Sequence, residues 1–230
     1  MNRFYVVVGV LAVVLAVAVF ALLKTGGGAS AAAVGPPPTV VDDGFRGYTI
    51  GDSSAKVEIT EYSDFECPFC SRFATIQMPT IKEQLIATGK VRWRYRDFPI
   101  PGHAYGRFAA HAAQCAGEQG KFWEMHDQLF YHHQWAQTGK DPSSLFRQFA
   151  ADIGLDLPRY DECMKSGRYA SRIEYSRQEG LNLLVDGTPT FYVNGKKFNG
   201  PSATSDVFKA IADSIIARSP SPSPRTPARR

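Results

Sequence analysis

The sequence predicts an α/β domain: a mixed central sheet flanked by helices, interrupted by an inserted all-helical subdomain. Three observations carry this. Apolar-alternating runs at Val57–Tyr62 and Val91–Arg96 have the two-residue period of strands, and Thr190–Val193 reads as a third strand. A helical pattern from Pro68 to about Ala87 links the first two, as a crossover between parallel strands would. A further helical pattern, residues 103–183, separates the second strand from the third.

Taken in order, residues 1–24 read as a membrane segment. Phe4 to Leu23 is an uncharged, largely apolar run. At about 1.5 Å per residue it spans roughly 30 Å, a bilayer core. Arg3 precedes it and Lys24 follows, which weakly favours a cytoplasmic start with the remainder outside. The alternative is a signal peptide cleaved after the small residues Ala29-Ser30-Ala31, leaving a secreted protein. Both readings put the body in an oxidising compartment. Residues 25–44, rich in Gly, Ala and Pro, read as a flexible linker, and residues 219–230, alternating Ser and Pro, as a disordered tail. The formal charge of +4 resides mostly in that tail (Arg225, Arg229, Arg230). The body, residues 45–218, is near-neutral and gives no signal for nucleic acid.

Within the body, Val57–Tyr62 is a strand, and Pro79 is expected to kink the following helix after Met78. Val91–Arg96 places basic residues on one face and ends at Pro99 and Pro101. The helical block divides into Ala104–Gln119, Lys121–His133, Pro142–Ile153, Leu157–Met164 and Gly167–Asn182, with Asp141 and Asp156 as N-caps. Asn194-Gly195 makes a tight hairpin after the third strand, with Lys196–Phe198 returning. After Gly200-Pro201 a last helix runs from about Ser202 to Ala217. The sheet therefore has four or five strands.

The chemistry centres on Cys67-Pro68-Phe69-Cys70, where a strand turns into a helix. The first N–H groups of a helix lack intrahelical partners and its dipole is positive there, so a thiolate is favoured over a thiol. Pro68 suits the first turn because its missing N–H would have been unpaired. Cys67, nearer the helix mouth, is the nucleophile and the better-exposed thiol. Cys70, one turn further in, is the buried resolving cysteine. A zinc site would need a second closely spaced ligand pair, which Cys115 and Cys163 do not provide. His126, His132 and His133 sit among aromatics and read as core-edge residues, so no metal is expected. Cys115 and Cys163 are expected to form a structural disulfide, the rival being a second redox-active pair. Phe65, Phe69 and Tyr62 are expected to form an apolar rim around the thiol.

At these residues the sequence resembles the DsbA-type thiol–disulfide oxidoreductases of the thioredoxin fold, in their membrane-anchored subgroup. The resemblance rests on four features: Cys67–Cys70, Glu61 six residues earlier, Gly187-Thr188-Pro189-Thr190-Phe191, and the helical block. It implies that Glu61 is a buried acid relaying a proton to or from Cys70. It implies that Pro189 is a cis proline facing Cys67, with Pro68, Phe69, Thr188 and Pro189 contacting substrate. Two positions depart from the family: Pro-Phe separates the cysteines where strong oxidants carry Pro-His, and Thr188 stands where other members carry Val.

The function implied is extracytoplasmic disulfide formation in unfolded exported proteins with free cysteines. Reoxidation by a membrane quinone-linked disulfide oxidase is implied, with no cofactor and a monomeric enzyme. The alternatives are a reductase or isomerase of the same fold, or a non-enzymatic peptide-binding module.

Overall fold

The computed structural model describes residues 40–198 and 202–218. The expected membrane segment, most of the linker, Gly200-Pro201 and the tail lie outside the described residues. No helix among the described residues is long and apolar enough to cross a membrane.

Strands β1 (Tyr48–Ile50), β2 (Val57–Ser63), β3 (Val91–Asp97), β4 (Thr190–Val193) and β5 (Lys196–Lys197) form one sheet in the order β1-β3-β2-β4-β5. β2 and β3 run parallel and the other pairs are antiparallel. β1 has no counterpart in the sequence reading. It is three residues long with no buried position, so its pattern is too short to show a period.

A helical run, α1, joins β2 to β3. It opens at Pro68–Arg72, widens to π geometry over Phe73–Gln77, is α-helical over Met78–Ile81 and widens again over Lys82–Ile86. As expected, the run continues through Pro79, which lies just after the first widened segment. The Met78 N–H reaches back five residues to Phe73 O, so the widened turn accommodates the residue without a donor.

The helical block comprises α2 (Gly106–Gly117), α3 (Phe122–Tyr131), α4 (Ser143–Asp152), α5 (Leu157–Ser166) and α6 (Ala170–Asn182), and α7 (Ser205–Arg218) is the last element among the described residues. Asp156 caps α5 by accepting from Arg159 N at 3.1 Å. Asp141 is not a cap: Pro142 holds that position, and Asp141 accepts from Ser143 N at 2.8 Å.

Odd-numbered residues of β2 and β3 bury Val57, Ile59, Val91 and Trp93 against Phe73, Phe191 and Phe208. The even face is covered by α6, the last helix of the block. There Tyr62 donates to Glu179 Oε2 at 2.8 Å and buried Arg96 pairs with Glu179 at 2.5 Å. Part of the stretch read as linker is also tied to α6: Val41 N donates to Ser171 Oγ, and Asp42 and Asp43 accept from Tyr175 and Arg172.

Candidate active site

β2 leaves the sheet at Ser63, and the four residues Asp64 to Cys67 turn the chain into α1. Asp64 holds this turn. Its buried carboxylate accepts from Glu66 N at 2.9 Å and Ile100 N at 2.8 Å, and it lies 2.6 Å from His103 Nδ1. Its carbonyl accepts from Cys67 N at 3.0 Å. Glu66 in turn accepts from Tyr105 N at 2.6 Å, at the entry to α2. Two loop acids thus clamp the cysteine turn to the helical block. A Cβ at Gly106 would come 2.6 Å from Asp64 Oδ1, so only glycine fits beside the clamp. Sequence reading missed both acids. The local sign was an Asp two residues before a turn N–H.

Cys67 caps α1 with extended backbone (φ −76°, ψ 124°), and Pro68 begins the helix. The Thr188–Pro189 peptide is cis, and Thr188 O accepts from Cys67 Sγ at 3.4 Å. The structure therefore brings Cys67, Cys70, Thr188 and Pro189 together. Cys67 and Cys70 are both buried and are not bridged to each other. Cys67 is less open than expected, at 3% exposure against none for Cys70, because the Thr188 loop lies over it. The expected aromatic rim is also corrected. Phe69 is 66% exposed, but Phe65 is buried against Tyr95 and Phe130, and Tyr62 belongs to the opposite face of the sheet. Beside Phe69, exposed Pro68 borders a groove of about 380 Å³ that Ile76, Phe130 and Tyr131 also line.

The two thiols are driven apart. A hydrogen bond from Cys70 lowers the Cys67 pKa to about 6; the Thr188 side chain and the N–H groups of Cys70 and Phe69 assist, against burial. Burial pushes the Cys70 thiol well above its ordinary value, reinforced by Cys67 and by the charge of Glu61. The Thr188 hydroxyl has no other partner and is free to donate to a Cys67 thiolate. Thr188→Val removes that donor while keeping shape. It is expected to raise the Cys67 pKa by about one unit, read from thiolate ultraviolet absorbance against pH.

Glu61 is 1% exposed, and its Oε2 accepts from Trp93 Nε1 at 3.1 Å. Burial raises its pKa to about 7, which Ser63 and Trp93 only partly offset. A carboxyl raised this way keeps its proton in the fold while the unfolded chain has released it. Stability from this group therefore falls as pH rises from about 4.5 to about 7, by about 3 kcal/mol in all. Glu61→Gln is expected to flatten that slope and to be more stable than the parent at neutral pH. Urea unfolding at the two ends of the window measures it, and parallel slopes would contradict it.

Cys115 and Cys163 are joined, linking α2 to α5, with both cysteines fully buried. His111 lies beside them with all three ligand-type atoms within 4.8 Å, but sulfurs in a disulfide offer a metal no thiolate. His126 packs among Phe65, Tyr95, Trp123 and Phe130 and contacts Asp127 at 2.9 Å; His132 stacks on Phe149.

The chain is similar to several known proteins. A family model described as Thioredoxin matches residues 45–213. Among solved structures, oxidised BdbD from Bacillus subtilis aligns with TM-score 0.67 at 23% identity, covering 74% of this chain and 92% of that one. Oxidised Mtb DsbA aligns with TM-score 0.61 at 26% identity, covering 75% and 93%. Among curated relatives, one named Na(+)/H(+) antiporter NhaA 3, from Salinispora tropica, is 40% identical over 157 residues, 68% of this chain and 23% of that protein. The chain spans about a quarter of the length of the curated relatives it matches.

Proposed function

Because the chain belongs to the thioredoxin family and has the DsbA-type fold, we propose that it is an extracytoplasmic protein dithiol oxidase. It takes unfolded exported proteins with free cysteines as substrates, and a membrane quinone-linked oxidase restores its disulfide. The apolar run at residues 4–23 supports an anchor with this domain outside the cytoplasm.

The observation that carries the reading is the separation of the two thiols: Cys67 lowered to about 6 at the helix mouth, Cys70 raised in the core. A client thiolate attacks Cys67 Sγ of the oxidised enzyme, giving a mixed disulfide. The Cys67–Cys70 bond breaks, and its electron pair goes to Cys70, which takes up a proton. Glu61, charge-coupled to Cys70 and near neutrality in pKa, supplies that proton. The client's second thiolate then attacks its own sulfur in the mixed disulfide, and Cys67 leaves as a thiolate. Thr188 O and the adjoining cis peptide border Cys67, where an extended client chain can pair.

A Cys67 thiolate stabilised at neutral pH favours the reduced enzyme and so makes the disulfide oxidising. Lowering the pKa from 9.0 to about 6 contributes about 1.4 kcal/mol at pH 7, equivalent to about 30 mV. Equilibration of Cys67–Cys70 with glutathione buffers tests the direction. An oxidase has a potential clearly above the roughly −270 mV of thioredoxin; a value at or below it would make this a reductase.

A further inference from the structure

The helical block holds a cluster of donor atoms that the exchange chemistry does not use. His111 and Cys115 lie four residues apart on α2, so they share one face of that helix. Cys163 meets them from α5. The ligand-type atoms of the three residues lie within 4.8 Å of one another, and all three residues are buried. The Cα atoms of the two cysteines are 5.7 Å apart, so both sulfurs can reach one small ion between the helices.

His111 is set up as a ligand. Its Nε2 lies 3.0 Å from the Cys163 carbonyl. A carbonyl only accepts, so Nε2 carries the proton. Nδ1 is buried without a hydrogen-bond partner. A proton there as well would bury an unpaired charge, so the ring is neutral and Nδ1 keeps a bare lone pair. A histidine that ligates a metal is held in this way, with its other N–H donated to a carbonyl or carboxylate. Two sulfurs and one imidazole nitrogen are donors that suit zinc. Charge points to a divalent ion: it balances two thiolates and leaves the buried site neutral. At the outer edge, Glu118 Oε1 lies 3.5 Å from Cys163 Sγ, accepts from Tyr169 OH at 2.7 Å and pairs with Arg168 at 3.4 Å. This partly exposed carboxylate gives an ion a way in and offers a donor for a fourth position.

We propose that Cys115, Cys163 and His111 form a zinc site when the two cysteines are reduced. The same pair then staples α2 to α5 by metal or by disulfide, according to its redox state. Zn²⁺ enters as the two thiols release their protons. Oxidation by a small disulfide such as oxidised glutathione reverses this. The two thiolates give up two electrons and form the S–S bond, the oxidant takes those electrons and two protons from solvent to become two thiols, and Zn²⁺ is released. The proposal stands apart from the exchange reaction at Cys67.

The test uses the full chain with Cys67→Ser and Cys70→Ser, which removes the other two thiols. After reduction with a phosphine, Co²⁺ is titrated as a spectroscopic probe and then displaced by Zn²⁺. The reduced chain is expected to bind one equivalent, with a thiolate-to-cobalt charge-transfer band that Zn²⁺ bleaches. The oxidised chain is expected to show no such band. Zn²⁺ should raise the melting temperature of the reduced chain and leave that of the oxidised chain unchanged. His111→Gln keeps a donor for the Cys163 carbonyl and removes the ligand, so it is expected to weaken Zn²⁺ binding at least about tenfold. Binding that His111→Gln leaves intact would overturn the site, as would equal binding by the oxidised chain or none by the reduced one. Should that variant not fold, X-ray absorption at the zinc edge of the reduced chain decides. Two sulfurs with an imidazole nitrogen are expected, and a shell without sulfur or without imidazole would overturn the assignment.

Discussion

Cys67→Ser is expected to abolish thiol–disulfide exchange, while Cys70→Ser stops the cycle with a client attached. The difference follows from what each sulfur touches. Cys67 sits at the first turn of α1, under Thr188 O, with its pKa lowered to about 6. A serine hydroxyl there can neither form a disulfide nor ionise near neutrality, so no mixed disulfide begins. Cys70 is fully buried with its thiol pKa raised, so it serves the second step. In Cys70→Ser the Cys67 thiolate still attacks a client disulfide, but no internal sulfur displaces the product. Covalent complexes should accumulate on non-reducing gels with Cys70→Ser and be absent with Cys67→Ser. Turnover retained by Cys67→Ser would remove the assignment, and unchanged client protection by the double variant would favour a binding module.

Removing the other cysteine pair should act on stability rather than chemistry. The Cys115–Cys163 bridge closes a 48-residue separation between α2 and α5. In the chain-entropy model that constraint contributes about 4 kcal/mol. Cys115→Ala/Cys163→Ala is therefore expected to lose about 2–5 kcal/mol, with a melting temperature lower by roughly 10 °C for a domain of this size. Urea unfolding measures the loss. The folded fraction should exchange disulfides at the parental rate. Parental stability with lost turnover would identify the pair as a second redox centre.

Much of this was readable because its cause is local. The alternation of Val57–Tyr62 and Val91–Arg96 reflects one buried face, and Asn194 and Gly195 adopt the positive φ of a tight hairpin (47° and 78°). The cysteine motif announces its own chemistry, since both sulfurs and the helix start lie within four residues. Other features depend on partners far along the chain. Pro189 gains its meaning only beside Cys67, and the family resemblance supplied that juxtaposition. Asp64 reads as a solvated loop acid until Ile100 and His103 close on it. Asp97 reads as the polar end of a strand until parallel register sets it beside Ser63 and Gln114 of α2 donates to it. Arg96 reads as an exposed base on an alternating strand, yet α6 buries it with Glu179.

The account depends most on the acidity of one sulfur. Thiolate absorbance of the reduced protein, titrated in the parent and in Cys70→Ser to assign the signal, measures it directly. The expected result is a Cys67 midpoint near 6 with Cys70 remaining protonated well beyond 9. A Cys67 midpoint at the ordinary thiol value of 9.0 would contradict the account, leaving a helix mouth that does not activate its cysteine.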